Sequence, residues 1–376
     1  MRPTSAPLTL ADSRPHLRHL ADVRWVLLVA ALALAGLGLA TVHSASSELS
    51  LDYLPRQAVW VGVGILALAL TFSIDYQTLS KFSLPIYIVG LVILTAVLFL
   101  GTVRGGARSW FGFGSFGLQP SEFAKLSTAV LLARYLASTN RRYLRLRQIA
   151  IACGIAGLPM ALVVLQRDMG SAMMFMPLLA GMLFVSGVRW QVVVAALVLA
   201  LIGGAILWNF VMLDYQKTRV LTFLDPGREP LGAGYQLRQS KIAVGSGQVA
   251  GRGYMQGTQS QLRFLPARHT DFVFAVLAEE WGFLGVVGVL MLYATYILNG
   301  ALVAVRARDR TGILLVVGLL GSFAFHVVYN TAMVVGLVPI TGIPLPFLSY
   351  GGSFTLANFI AVGMILGVDF RRYVNR

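Results

Sequence analysis

Cysteine and charge are what this 376-residue chain has least of. Its one cysteine, Cys153, lies inside an apolar run and excludes both an internal disulfide framework and a cysteine-based zinc site. Charged residues make up 12% of the chain, whereas a soluble domain has about 25%. Because 57% of the residues are hydrophobic as well, the composition excludes an ordinary water-soluble globular protein.

Acidic residues are also scarce, since 15 Asp and Glu stand against 30 Lys and Arg and give a net charge of +15. Such an excess fits binding of nucleic acid or an acidic substrate, or it fits the Lys/Arg-rich inner loops of a membrane protein. We favour the second interpretation because positive inner loops set the orientation of membrane proteins. No spacing in the glycine-rich residues 213–271 matches a P-loop or a dinucleotide fingerprint, so no nucleotide is indicated there, and no nucleic-acid partner is expected.

Long apolar runs are the dominant positive feature of the chain. Several reach about 18 residues or more, which is the length that a helix needs to cross a bilayer. We therefore predict an all-α integral membrane protein with about ten transmembrane helices. The ten segments are 25–43, 54–73, 82–101, 120–138, 149–165, 170–187, 190–212, 272–298, 311–338 and 349–370.

The Lys and Arg residues between these segments predict the orientation, with both termini in the cytoplasm. Residues 1–24 form a cytoplasmic tail, residues 25–370 the membrane domain and residues 371–376 a second cytoplasmic tail. The apolar segment after the first tail is too long for a signal-peptide core, so we expect the tail to be retained. The inner loops then hold Arg14, Arg18, Arg24, Lys81, Arg141, Arg142, Arg145, Arg147, Arg189, Arg306, Arg308, Arg310, Arg371, Arg372 and Arg376, whereas Glu48 and Asp52 lie in the first outer loop.

Residues 213–271 are predicted to be one long extracytoplasmic loop, called the outer loop below. It contains eight Lys/Arg and four Asp/Glu, and loops of this length escape the charge rule. Its many glycines either make it flexible or allow the backbone to approach a phosphate closely. In the second case Lys241, Arg252 or Arg263 would supply positive charge.

A second irregular stretch, residues 102–121, alternates glycine with aromatic residues and has no helical period. It is too apolar for an aqueous loop and too rich in glycine for a stable helix. We predict a short re-entrant or interfacial segment, or a simple aromatic anchor, at headgroup depth. The aromatic residues concerned are Trp110, Phe111, Phe113 and Phe116.

Glu122 and Lys125 lie one turn apart at the start of the fourth segment, so they face the same side of a helix. They form either a local ion pair at a helix start or part of a functional cavity, because ionisable groups in membranes usually face a cavity or a partner. Asp168, in the short turn LQRDMGSA, is either a helix N-cap or a site residue.

His326 and Asn330 are spaced i, i+4 on the ninth segment. A lone intramembrane histidine is more typical of a hydrogen-bonded core residue than of a metal ligand, and no partner with ligand spacing accompanies it. Residues 339–353, PITGIPLPFLSYGGS, are called the connector below. They form either a rigid link or a wall of an outer site beside Asp271.

Asp271 lies where the polar outer loop becomes the eighth apolar segment. One interpretation is an N-cap of that helix. The predicted topology, however, places four polar or irregular segments at the outer face. They are 102–125, 166–168, 213–271 and 339–353. Irregular polar backbone that converges on one membrane face is what a substrate site requires.

Four long motifs carry a resemblance to a known family. They are GARSWFGFGSFGLQPSEFAKL, QRDMGSA, GTQSQLRFLPARHTDFVFAVLAEEWGFLG and TGIPLPFLSYGGS. In this order, and over essentially the whole chain, they resemble the SEDS family, and GTQSQLRFLP resembles the members that act in cell elongation. One departure is Arg268, since the family often has an acidic residue near the HTD triplet.

The resemblance implies a peptidoglycan glycosyltransferase that polymerises lipid II at the outer face of the bacterial cytoplasmic (inner) membrane and releases undecaprenyl diphosphate. It also implies a class B penicillin-binding protein as partner, together with other membrane proteins of the elongation complex. The family's essential aspartate corresponds to Asp271. Its other important residues correspond to Trp110, Glu122, Lys125 and Asp168, and His269 and Thr270 complete the HTD triplet.

As a mechanism, we expect Asp271 to act as general base toward the 4-hydroxyl of the acceptor sugar. Negative charge develops on the leaving diphosphate and needs basic groups or a divalent cation, Mg²⁺ or Mn²⁺. The protein candidates are Lys125, held by Glu122, and Arg108 and Lys241. Asp168 would position a cation or a cationic side chain.

Two other functions compete with this expectation. A lipid II flippase would carry charged groups along the whole bilayer depth, whereas here the informative charges cluster near the outer face. A non-catalytic scaffold would organise the cross-linking enzyme without chemistry of its own.

Overall fold

The computed structural model describes residues 23–47, 53–104, 106–113, 116–139, 143–212, 214–225, 227, 229 and 232–374. Most of the predicted N-terminal tail and part of the first outer loop lie outside these residues. The individual positions concerned are Arg14, Arg18, Glu48, Asp52, Arg141, Arg142 and Arg376.

The described residues are predominantly helical, as predicted. The helices are α1 (Trp25–Ser46), α2 (Leu54–Ser73), α3 (Tyr76–Lys81), α4 (Ser83–Leu100), α5 (Pro120–Ala137), α6 (Leu146–Leu165), α7 (Met169–Met173), α8 (Phe175–Ser186), α9 (Trp190–Ile206, followed by a π-helical turn Leu207–Val211), α10 (Asp214–Leu224), α11 (Ala233–Ser246), α12 (Thr258–Gln261), α13 (Val273–Arg306), α14 (Arg310–Val334) and α15 (Gly352–Val374).

Eight helical stretches of the described residues are long and apolar enough to cross a membrane. They are α1, α2, α4, α6, α7 with α8, α13, α14 and α15. The other two predicted segments differ for separate reasons: α5 carries Glu122, Lys125 and Arg134, and α9 has only 17 residues. The total of about ten spans therefore stays a prediction.

Helix α5 can carry polar residues because it is surrounded by other helices of the bundle. It packs against α4, α6, α8, α14 and α15, and most of its residues are buried. A helix surrounded by other helices can carry ionisable groups that would be costly at the lipid surface.

Long-range polar contacts sort the helix termini into two ends of the bundle. At one end, the backbone N–H of Arg24 donates to Asp369 Oδ2 at 2.8 Å, and the Tyr76 hydroxyl donates to Asp309 Oδ1 at 3.0 Å. We call this the Asp369 end. These contacts join the start of α1 to the last helix and α3 to the start of α14.

The opposite, Asp271 end contains the start of α2 and the end of α14. The Tyr53 ring, just before α2, stacks on His269 with 4.6 Å between ring centroids. Asn330, near the end of α14, donates to the Asp271 carbonyl oxygen at 2.9 Å. Each of these contacts joins two positions that the predicted topology places on the same side of the membrane.

The described part of residues 102–118 forms a small antiparallel sheet, so the segment predicted to be re-entrant or interfacial is made of strands. Its strands are β1 (Thr102–Arg104), β2 (Ala107–Phe113) and β3 (Phe116–Leu118), in the order β1-β2-β3. The alternation of glycine with aromatic residues has the two-residue period of a strand. This period was the available signal for strands in the sequence.

The outer loop is not a free loop, because it contains α10, α11 and α12. Two of its glycines approach a protein backbone. A β-carbon at Gly247 would overlap with the carbonyl oxygen of Ala278, and one at Gly251 would overlap with that of Glu280. Both carbonyl groups belong to α13, so these two glycines serve helix–loop packing and not phosphate binding.

Helix α13 is broken at Gly282, whose φ of 63° and ψ of −162° are not helical. The outer loop supplies hydrogen bonds at this break. Arg252 N donates to Glu279 O at 3.0 Å, and Phe283 N donates to Gln248 O at 2.8 Å. The loop therefore pairs the backbone groups that the break releases, as membrane-embedded backbone requires.

Gly282→Ala should strongly destabilise the protein. The dihedral angles of Gly282 lie in a region that essentially only glycine adopts, at a strain of about 1–3 kcal/mol for other residues. A β-carbon there would also overlap with Gly251 N. We expect a clear fall in melting temperature in detergent.

Gly288→Ala is the matched control, because a β-carbon at Gly288 meets no heavy atom within 4 Å. Alanine is favoured over glycine in a helix interior by about 0.5–1 kcal/mol, so this variant should melt at or above the wild-type temperature. Equal melting of the two variants would show that the break at Gly282 is not needed.

Candidate active site

Asp271 lies between α12 and α13, and of its two interpretations the N-cap of the eighth helix was wrong. Helix α13 begins at Val273, its N-cap is Phe272, and no side chain caps it. The Asp271 peptide is instead held by a tertiary contact, because its carbonyl oxygen accepts a hydrogen bond from Asn330. Its carboxylate is therefore not committed to a helix terminus.

The surroundings of the Asp271 carboxyl alter its acidity. Burial raises its pKa above the ordinary aspartate value, and a hydrogen bond with Thr270 and the positive charge of Arg219 limit the rise. Because burial dominates, the carboxylate is a stronger proton acceptor than a solvated aspartate. Arg219 lies on α10 in the outer loop.

The two residues before Asp271 are fixed by neighbouring segments. His269 stacks on Tyr53, and its carbonyl oxygen accepts from Tyr350 N at 2.9 Å. The Ser349 hydroxyl donates to the Thr270 carbonyl oxygen at 2.6 Å. Burial and the nearby Arg268 lower the pKa of His269, so its imidazole is neutral at physiological pH.

The connector runs beside Asp271, as the functional interpretation of its sequence predicted. A β-carbon at Gly342 would lie 3.5 Å from Asp271 Oδ2, so Gly342 is adjacent to the carboxylate. The φ of 74° at Gly342 also favours glycine. The next two carbonyl groups accept from α14: Asn330 Nδ2 donates to Ile343 O at 2.7 Å, and His326 Nδ1 lies 3.2 Å from Pro344 O.

Glu122 and Lys125 form the ion pair predicted from their spacing, with 2.8 Å between Oε2 and Nζ. Both residues are buried, with exposed fractions of 4% and 6%. Lys125 Nζ also lies 3.3 Å from His326 Nε2. The pair borders a cavity of about 40 Å³ whose other walls include Phe323 and Phe354.

Asp168 caps α7, which confirms the N-cap interpretation. Its Oδ1 accepts from Ser171 N at 3.0 Å, and its Oδ2 accepts from the Ser171 hydroxyl at 2.9 Å and from Gln119 Nε2 at 2.8 Å. The backbone N–H of Gln119 donates to Ser353 Oγ at 2.9 Å. Gln119 thus links the Asp168 turn to the end of the connector.

Three further predicted site residues lie on elements around this region. Trp110 is half-buried in β2 opposite Thr102. Arg108, also in β2, is exposed and directs its guanidinium to the Leu98 carbonyl at the end of α4, with Nη1 at 3.4 Å. Lys241, on α11, packs against Gly336 just after α14.

The structure therefore brings together two groups of predicted residues through the connector. One group is His269, Thr270 and Asp271, and the other is Glu122 and Lys125. Arg219 and Gln119 were missed as site residues, because no local pattern marks a residue whose partner is distant in sequence. On α14, the i, i+4 spacing of His326 and Asn330 was the available sign that these residues contact the site. The sequence alone favoured a core role for His326.

The described ranges contain no cluster of side chains that by itself identifies a metal site. No three His, Cys, Asp or Glu side chains there lie close enough together to hold a metal ion. Both carboxylate oxygens of Asp168 already accept hydrogen bonds, from Ser171 and from Gln119. No catalytic step is assigned to a metal.

The bundle of long apolar helices defines an integral membrane protein. Its candidate active site lies at one end of the bundle, where irregular polar segments meet a partly buried carboxylate and a buried ion pair. The sequence profile of the FtsW/RodA/SpoVE family, described as cell cycle protein, matches residues 24–373. The chain therefore belongs to this family, which is the SEDS family that its motifs resemble.

Relatives and solved structures agree with this assignment. The peptidoglycan glycosyltransferase MrdB of Escherichia coli K12 is 37% identical over 358 residues, which are 94% of each chain. The Thermus thermophilus rod shape determining protein RodA has a TM-score of 0.71 at 30% identity, covering 93% of this chain and 98% of its own. A chain of a peptidoglycan synthase complex that coordinates polymerization and crosslinking has a TM-score of 0.81 at 33% identity, with the same coverage.

Lys125→Met should destabilise the protein because it leaves the Glu122 carboxylate buried without its partner. Removal of one member of a buried ion pair costs about 3–5 kcal/mol. The double variant Glu122→Gln with Lys125→Met removes both charges and should recover most of that loss. Thermal unfolding of the purified variants in one detergent measures both effects.

Lys81→Met is the control, because Lys81 is exposed in α3 and surface substitutions usually change stability by less than about 0.5 kcal/mol. If Lys125→Met and the double variant melted at the same temperature, the buried pair would not be the source of the instability.

Proposed function

We propose that the chain is a peptidoglycan glycosyltransferase that polymerises lipid II into glycan strands and releases undecaprenyl diphosphate. Its membership of the family and its 37% identity to a peptidoglycan glycosyltransferase support the proposal. The observation that carries it is the position of Asp271, whose partly buried carboxylate lies against the same connector that reaches the buried Lys125 through His326.

In the proposed reaction, the Asp271 carboxylate takes the proton of the acceptor sugar's 4-hydroxyl group. The hydroxyl oxygen forms a bond to the anomeric carbon of the donor with inversion. The bond from that carbon to the diphosphate breaks, and the electron pair leaves with the lipid diphosphate. The raised pKa of Asp271 assists the first of these events, because a general base works best when its pKa is near the working pH.

Lys125 is the preferred group for stabilising the leaving diphosphate. Its ammonium is buried and borders a cavity, so its charge acts in a medium of low dielectric constant. Glu122 holds it by the ion pair. Arg108 and Lys241 remain secondary candidates, since their contacts in this state are with α4 and with the end of α14.

The Asp271 end is proposed to face the outer side of the cytoplasmic membrane, with both termini in the cytoplasm. Lipid II would keep its tail in the bilayer while its diphosphate and sugars reach the connector and the outer loop. A class B penicillin-binding protein is the proposed partner, supported by the similarity to a chain of a complex that couples polymerization with crosslinking. Action during cell elongation follows from the similarity to a rod shape determining protein.

Asp271→Asn tests the base assignment. A positioned general base contributes about 10²–10⁴-fold to rate, so the purified variant should consume lipid II at least about 100-fold more slowly. Its stability at neutral pH should be unchanged or higher. The raised pKa means that the folded state disfavours the ionised carboxyl, and the neutral amide removes that cost.

Asp214→Asn is the matched control, since Asp214 is exposed on α10 in the same outer loop. The assay uses labelled lipid II with and without the cross-linking partner. Near-native polymer from a well-folded Asp271→Asn variant would contradict the base assignment. Leaflet exchange of lipid II without polymer from the wild type would indicate a flippase, and neither activity would indicate a scaffold.

The pH dependence of polymerisation should report the same carboxyl group. Activity should fall as the pH decreases through the raised pKa of Asp271, at a pH above the value of about 3.9 for a free aspartate. Arg219→Met removes a positive charge that lowers this pKa, so the acidic limb should move to higher pH. Arg219→Lys retains the charge and should leave the limb near its wild-type position. A limb that did not move in Arg219→Met would contradict this assignment of the titrating group.

A further inference from the structure

His326 and Asn330 lie one turn apart on one face of α14, and both are buried. Each hydrogen-bonds to the connector, and the two carbonyl groups that they contact are consecutive. Asn330 contacts Ile343 O, and His326 contacts Pro344 O. Neither side chain has a role in the reaction proposed above.

Asn330 joins the connector to the Asp271 peptide. Its side chain is fully buried, and its amide nitrogen donates to Asp271 O at 2.9 Å and to Ile343 O at 2.7 Å. An amide group has two N–H donors, so the two bonds use both of them. The backbone of the catalytic aspartate and the backbone of the connector are therefore held by one side chain.

His326 joins the connector to Lys125. An ammonium group only donates hydrogen bonds, so His326 Nε2 must accept from Lys125 and Nδ1–H must donate to Pro344 O. This arrangement fixes a single neutral tautomer. A second ring proton would face the Lys125 ammonium and remove the acceptor that this ammonium uses.

We propose that His326 and Asn330 are positioning residues that hold the Asp271 carboxylate and the Lys125 ammonium in a fixed relation through the connector. The proposal deepens the glycosyltransferase function proposed above and rests on it. The general base and the group that stabilises the diphosphate act on opposite partners of one displacement, so their separation has to match the substrate. A displacement of about 1 Å can cost about 100-fold in rate.

Two substitutions of His326 separate its two contacts. Asparagine places an amide nitrogen near the position of Nδ1 and keeps the donor to Pro344 O, but it does not reach Lys125. Glutamine reaches the position of Nε2 and keeps an acceptor for Lys125, but it leaves Pro344 O without its donor. Asn330→Asp keeps the shape of the side chain and removes both N–H donors.

We expect each of the three variants to lower kcat for lipid II polymerisation by at least about tenfold. The decisive readout is a double-mutant cycle with Lys125→Met. His326→Asn should add no further loss of kcat in the Lys125→Met background, because the contact that it removes is already absent. His326→Gln should still lower kcat there, because it cuts the contact with the connector.

Two matched controls come from polar residues outside this network. His43→Gln changes a histidine whose partner is Tyr254, and Asn209→Ala changes an exposed asparagine that bonds within its own helical segment. Both should retain wild-type kcat. A purely structural role of His326 would lower the melting temperature and leave kcat per folded molecule unchanged, and this result would overturn the proposal. An additive effect of His326→Asn and Lys125→Met would overturn it as well.

Hydrogen exchange of connector peptides tests the proposal without activity. His326→Gln and Asn330→Asp should accelerate exchange over residues 339–351, whereas His326→Asn should not. A wild-type protein that makes no polymer would contradict the proposed function, and the exchange pattern would still decide whether α14 holds the connector. Unchanged exchange in all three variants would contradict the positioning role.

Discussion

Irregular backbone at membrane depth needs a hydrogen-bond donor for each buried carbonyl group, and α14 supplies the donors for two consecutive carbonyl groups of the connector. Proline-rich sequence cannot form a helix there, so the carbonyl groups of Ile343 and Pro344 turn to side chains one turn apart. Because these side chains also contact Asp271 and Lys125, satisfying the backbone fixes the two charged groups. The relative position of the two charged groups therefore depends on the hydrogen bonds that hold the connector.

The break in α13 follows the same constraint at a second place. The outer loop donates to carbonyl groups that Gly282 releases from the helix, and Gly247 and Gly251 allow the close approach. The outer loop is thereby anchored next to the segment that carries Asp271. Arg219, on α10 of this loop, supplies the positive charge that limits the rise in the pKa of the carboxyl group.

The sequence predicted the features that depend on local period and composition. Apolar length located the spanning helices, and the i, i+3 spacing of Glu122 and Lys125 predicted their ion pair. The small sheet was missed because glycine–aromatic alternation was assigned to an interfacial anchor. The contacts of Asp271 with Asn330 and of Lys125 with His326 join residues 59 and 201 positions apart. Such contacts depend on tertiary packing, which no local pattern contains.

Asp271 and Lys125 are proposed to act on the two sides of one glycosyl transfer. A structure of the wild-type protein with lipid II and a donor analogue that cannot react would test this proposal most directly. We expect the acceptor 4-hydroxyl within hydrogen-bond distance of the Asp271 carboxylate, the donor diphosphate at Lys125, and the hydrogen bonds of His326 and Asn330 to the connector intact. A diphosphate bound at the Asp369 end, or an acceptor hydroxyl out of reach of Asp271, would contradict the account.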